Sequence, residues 1–196
     1  MAAGGCLAAV GRAAAAAARA GRADRLGAGD HRLDDRAGEK GGGQIGKNPA
    51  DRGRPASKLH LACDGNGAPL AVVLSPANDH DRRHAITVVD AIPRLRRGRR
   101  QRPDQLLADR GYDAEHIRVS LRERGIDPRI VKKRPRGQGR TRDPQAPERW
   151  TIERTNAWLH NNRRITIRWE RRPELYLSFA ELACAIILCR RLEGAF

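Results

Sequence analysis

Residues 106–125, LLADRGYDAEHIRVSLRERG, decide the fold class. Gln105 leads a short apolar run, Leu106-Leu107-Ala108, that stops abruptly at Asp109. Gly111-Tyr112 then marks a turn, and Ala114 to Arg124 carries a helical pattern. A second strand follows over Pro128–Lys132 (PRIVK). Strand, helix and strand in so short a span make a βαβ unit, so the two strands should run parallel. An Asp that ends a strand can cap the turn after it or help to hold a metal ion, and the local sequence leaves both open.

Working outward, Leu59–Asp64 alternates in side-chain type and meets Asp64-Gly65-Asn66-Gly67, a hairpin signal, with Pro69–Ser75 as the return arm. After the loop PANDHD, a helix is predicted over Arg82–Ile92, ended by Pro93. Downstream of the basic, Pro/Gly-rich residues 133–148, a helix runs from about Arg149 to Asn162. A strongly apolar helix closes the chain over Pro173–Leu192, with Leu175, Phe179, Leu182, Ala183 and Ile186 on one face. The order is hairpin, helix, strand, helix, strand, helix, helix, an α/β pattern with no internal repeat.

Residues 1–44 differ from the rest. They repeat Ala, Gly and Arg with few large apolar side chains, and are expected to be disordered; the folded domain is expected over 45–196. Met1–Val10 lacks the charged start and long apolar core of a secretory signal. Cys6, Cys63, Cys184 and Cys189 show no C-x-x-C pairing, so they suggest neither a zinc ribbon nor a disulfide framework and fit a reducing cytoplasm. No apolar run approaches the ~20 residues needed to cross a bilayer, so no membrane association is expected.

Lys and Arg number 39 against 23 acids, a formal charge of +16. A cationic excess of that size points to a polyanion, and nucleic acid is the expected partner. The cations cluster in RLRRGRR (94–100), KKRPRGQGRTR (132–142) and RRITIRWERR (163–172). Arg96, Arg97, Arg99, Arg100, Lys132 and Lys133 are the candidate phosphate contacts in the first two clusters. Trp150, Trp158 and Trp169 can pack in the core or form a wall for DNA, with core the favoured reading. Asp64 and Asp81 lie in turns, and turn chemistry accounts for them.

On the Arg149 helix, ~100° per residue brings Arg149, Glu153, Asn156 and His160 into one polar stripe, while Ile152 and Leu159 lie elsewhere and pack inward. Glu153 can thus face the end of the Asp109 strand. The bland alternative is a solvent-facing helix with an Arg149–Glu153 ion pair. In the other reading, Asp109 and Glu153 belong to a carboxylate cluster for divalent metal, which needs a third acid from a neighbouring strand.

The segments KGGGQIGKNPADRGRPASKLH, DGNGAPLAVVLSPANDHD, ADRGYD and RWTIERTNAWLHNNRRITIRWERR together resemble the DDE (Asp-Asp-Glu) transposases of bacterial insertion sequences. The likeness runs from about Lys40 to Leu192. It implies a ribonuclease H-like mixed sheet flanked by helices, with metal-dependent DNA strand cleavage and transfer as the activity and Mg²⁺ or Mn²⁺ as cofactor. DNA at the element ends and target would be the partner, with a homodimer possible. By the resemblance, Asp109 is the second catalytic Asp, Glu153 the catalytic Glu, and Arg149 the Arg preceding it. The family's Tyr falls on Ala146 and its later basic residue on His160.

The first catalytic Asp is the open position. Alignment on Lys40-Gly41-Gly42 places it at about Arg32, in GDHRLDDRAGEK, which has no strand pattern. Asp30, Asp34 and Asp35 are nearby, and Asp34 is taken as the third metal ligand. An upstream truncation or frameshift would account for the departure. The competing functions are a transposase remnant that binds DNA without cutting it, and a basic non-catalytic nucleic-acid-binding protein.

Overall fold

In the computed structural model, residues 24–33, 42–49, 51–93, 103–132 and 146–194 are described, with backbone alone for 24–33 and 146–149. Seven strands form one mixed sheet: β1 (Asp24–Leu33), β2 (Gly46–Lys47), β3 (Pro55–Cys63), β4 (Pro69–Pro76), β5 (Gln105–Ala108), β6 (Asp127–Ile130) and β7 (Ile167–Arg168). Among the described residues five α-helices accompany them: α1 (Ala85–Ala91), α2 (Glu115–Glu123), α3 (Ala146–His160), α4 (Arg163–Thr166) and α5 (Pro173–Leu192). The strand order is β2-β3-β1-β5-β6, with β4 also pairing β3 and β7 also pairing β1.

The hairpin is the expected one, and its turn is built by Asp64. The Asp64 carboxylate accepts from the backbone N–H of Asn66 (2.9 Å) and Ala68 (2.7 Å), the side-chain mimicry that makes Asp a turn residue. β5 and β6 pair in parallel, as the βαβ pattern requires, and α2 is the crossover between them.

The sheet is covered on both faces. One core joins Ala62, Leu106, Ala108, Tyr112, Ile117, Leu121 and Ile126 to Val88 and Val89 of α1. The other joins Leu59, Leu61, Cys63 and Leu74 to Ile152, Leu159, Ile165, Tyr176, Ala180 and Ile187 of α3, α4 and α5. Successive β3 residues divide between the two cores because side chains alternate across a strand. At ~25 cal/mol per Å² of apolar surface, each fully buried Leu or Ile contributes about 2 kcal/mol.

Three expectations are corrected. Within residues 1–44, expected to be disordered, β1 is a central strand, flanked by β3 over Arg25–Arg32 and by β5 over Asp24–Leu26. DRLGAGDHRL has little intrinsic strand preference, but two neighbouring strands supply its backbone hydrogen bonds, and that context outweighs propensity. On α5 the buried face is Tyr176, Ala180, Ala183, Ile187 and Leu188, whereas Leu175, Leu182 and Ile186 are exposed. Both faces of that helix are apolar, so periodicity alone chose between them wrongly. Trp150 and Trp169, read as core, are exposed.

An internal arginine ties the C-terminal region to the sheet. Arg168 on β7 is fully buried and donates to the carbonyls of Gly43 (2.9 Å), Gln44 (3.3 Å), Glu170 (2.8 Å) and Arg171 (3.3 Å), and to the Ser57 hydroxyl. Its charge is solvated by carbonyl dipoles in place of water, and burial lowers its pKa.

Candidate active site

β5 hands its last buried residue, Ala108, to Asp109, which is exposed. Asp109 caps the 3-10 turn Arg110–Tyr112, its carboxylate accepting from the Arg110 N–H at 2.6 Å. Capping and metal binding are compatible, because a carboxylate has about four lone-pair sites.

The sheet opens beside this residue. β1 and β5 pair through Leu26↔Ala108, and on the same side β1 next pairs with β7, at Arg32↔Ile167. A crevice beyond the carboxyl end of a parallel strand is where α/β sheets commonly place their chemistry. Continuing the register by one residue sets Gly27 level with Asp109. Arg32, the position suggested by the Lys40 alignment, lies five residues further along β1, or ~17 Å. Asp24 and Asp30 each lie three residues from Gly27, or ~10 Å.

The other carboxylate comes from α3, which packs over β1 and β3. Ile152 and Leu159 are buried against the sheet, as predicted, while Glu153 is exposed and Asn156 and His160 are half-buried. Burial lowers the His160 pKa. Asp109 and Glu153 therefore project from two elements that both lie against β1. Asp34, Asp35, Arg96, Arg97, Arg99, Arg100 and Lys133 lie outside the described residues, as does the side chain of Arg149, whose backbone is in α3; Lys132 is exposed. Among the described residues no three His, Cys, Asp or Glu side chains gather as a metal centre.

A buried polar network supports the Asp109 turn, and sequence analysis missed it. Tyr112, 1% exposed, closes the turn with its hydroxyl 3.3 Å from His60 Nδ1. His60 Nε2 lies 2.8 Å from Ser75 Oγ, which donates to the Pro76 carbonyl at 3.2 Å. Each ring nitrogen of His60 is thus met by a hydroxyl, Nε2 by Ser75 and Nδ1 by Tyr112. His84 stacks on His60 at 4.6 Å and pairs with Asp79 at 3.2 Å. Burial and the neighbouring His84 push the His60 pKa down to about 4, so the imidazole is neutral near pH 7. Asp81, paired with Lys58 at 2.9 Å, also packs on the turn: a Cβ on Gly111 would lie 3.0 Å from its carboxylate. Burial first, then the charges of Asp81 and Asp109, raise the Tyr112 pKa. The available signal was a polar residue at an otherwise buried position on each of two paired strands: His60 on β3 and Ser75 on β4.

Comparison with known proteins agrees with the geometry. The model of the transposase DDE domain family matches residues 25–188, beginning within β1. A protein named as transposase for insertion sequence element IS402 of Burkholderia cepacia is 42% identical over 194 residues, covering 97% of this chain and 90% of that one. A second, named for element IS6501 of Brucella ovis, is 29% identical over 136 residues, covering 68% of this chain and 98% of the relative. Among the described residues no helix is long and apolar enough to cross a membrane. A mixed sheet between helical layers, an acid at the open end of a parallel strand and a family match over most of the chain agree: this chain belongs to the transposase DDE domain family and is an insertion-sequence transposase.

Proposed function

We propose that the chain cuts DNA strands at the ends of its element and joins them to target DNA, with Asp109 and Glu153 as the metal-holding carboxylates. The observation that carries this is the exposed Asp109 at the mouth where β5 ends and β1 continues; the helix that carries the exposed Glu153 packs on that same strand, β1. Both are exposed oxygen donors, the ligand type that Mg²⁺ and Mn²⁺ take. A bound divalent ion supplies charge stabilisation and an activated water or hydroxyl for phosphodiester attack. Asp34 is the candidate third ligand. The chain's own part is to orient the acids: the Arg110 N–H fixes one Asp109 oxygen, and Tyr112, held by His60, fixes the turn.

DNA is gripped by backbone phosphate contacts, which carry no sequence information. Arg96, Arg97, Arg99, Arg100, Lys132, Lys133, Arg149 and His160 are the proposed contacts. The partner in synapsis is a second copy of the chain.

Nicking of supercoiled plasmid, with and without Mg²⁺ or Mn²⁺, tests this beside Asp109→Asn and Glu153→Gln. Either substitution should lower the metal-dependent rate ~100-fold or more, since a metal supplies several kcal/mol of transition-state stabilisation. Metal-independent nicking, or nicking that survives both substitutions, is incompatible with the proposal. One observation favours a second reading, a DNA-binding protein without cleavage: the β1 position level with Asp109 is a glycine. Salt-sensitive DNA binding without nicking in all three proteins would establish it.

A further inference from the structure

Two arginines converge where no acid meets them. Arg154 of α3 and Arg191 of α5 each donate to one acceptor, the Asn66 carbonyl in the β3–β4 turn, both at 2.7 Å. Two guanidinium groups on one neutral oxygen repel, and burial followed by the charge of Arg191 lowers the Arg154 pKa. Among the described residues neither arginine has a carboxylate within ion-pair distance. Arg154 Nε is buried without a hydrogen-bond partner. The Arg154 guanidinium also lies 4.2 Å from the Trp150 ring centroid and 4.7 Å from that of Trp158, so aromatic faces orient it.

Buried or half-buried charges in proteins are normally paired, so two partly buried like cations on one oxygen, beside an exposed aromatic ring, point to an anion from outside. Trp150 is 53% exposed, leaving the site open to a ligand. Two guanidinium forks match the oxygens of a phosphate group better than a single carboxylate. We infer that Arg154 and Arg191, with Trp150 beside them, form a phosphate-binding site distinct from the Asp109–Glu153 acids. Assigning that phosphate to the DNA backbone rests on the transposase reading, whereas the site itself does not.

The test uses the full chain with Arg191→Gln, Arg191→Lys and Arg154→Gln. Duplex DNA binding is measured across salt concentrations, and tryptophan emission is followed against inorganic phosphate, with chloride at equal ionic strength as reference. The expected result is that Arg191→Gln lowers the slope of log K against log salt by about 1, the loss of one phosphate contact, while Arg191→Lys keeps it. The phosphate-dependent emission change should vanish in both Gln variants. An arginine with a merely structural role would shift the unfolding midpoint and leave slope and emission response alone, which overturns the proposal. A changed DNA slope without a response to free phosphate identifies the backbone phosphodiester as the ligand. A free-phosphate response with unchanged slope identifies a small-anion site.

Discussion

Protonation of His60 should make this fold acid-sensitive in a defined pH window. The imidazole is fully buried, with Ser75 on one nitrogen and Tyr112 on the other, and faces His84, Lys58, Asp79 and Asp81. Its pKa falls from 6.5 to about 4 on folding. Between those values the unfolded chain binds a proton that the folded chain refuses, so stability rises with pH across the window and is lost as pH falls through it. A difference of ~2.5 pKa units at 1.36 kcal/mol each corresponds to about 3 kcal/mol. His160, lowered by burial, adds in the same direction. Urea unfolding at pH 7.5, 6, 5 and 4 measures this, with His60→Asn as the non-titrating reference. Wild type should lose about 3 kcal/mol more than the variant across the series, whatever the variant's stability at pH 7.5. Equal losses in the two proteins would refute the assignment of His60 as a neutral buried link to the Asp109 turn.

Two stability predictions follow from the same packing. Arg168→Met should cost about 3 kcal/mol or more in urea unfolding, because it strips the donor from several buried carbonyls and from Ser57; a loss under about 1 kcal/mol would mean that those carbonyls find other donors. Gly67→Ala should cost about 1–3 kcal/mol, since Gly67 sits at φ 87° and a Cβ there would lie 2.9 Å from Thr155 Oγ1 and 3.0 Å from Arg154 Nη2. The same variant should disturb DNA binding through Arg154, read as a lower salt slope.

What could be seen in the sequence was whatever carries its own local signal. Asp64-Gly65-Asn66-Gly67 encodes a turn through side-chain hydrogen bonding and a left-handed glycine, and the hairpin around it was predictable. The strand end at Asp109 was visible because an apolar run stops on it, and the outward face of α3 that carries Glu153 because Ile152 and Leu159 fix which way the helix faces. The missing information was tertiary. β1 has a composition of small and charged residues and becomes a strand because β3 and β5 flank it. The His60–Tyr112 link joins residues 52 apart in sequence, and no local pattern announces it. α5 is apolar on two faces, so its inward face is settled by what it packs against.

The register of β1 separates scaffold from chemistry and can be tested by restoring a carboxylate. The sheet sets Gly27 beside Asp109, while β1 continues six residues beyond that level to Leu33, or ~20 Å. If the third metal ligand must come from the strand adjoining Asp109, Gly27→Asp supplies it with the backbone unchanged. Metal-dependent nicking should then rise at least ~10-fold over the parent, a gain of only ~1.4 kcal/mol in transition-state stabilisation. Gly29→Asp, two residues and ~7 Å further along, serves as the control and should leave the rate unchanged. A gain at position 27 alone would show that β1 frames the site and lacks only its carboxylate. A folded, DNA-binding Gly27→Asp protein no faster than its parent would sink that idea. If Asp34→Asn also abolished the parent's nicking, the third ligand would come from beyond β1.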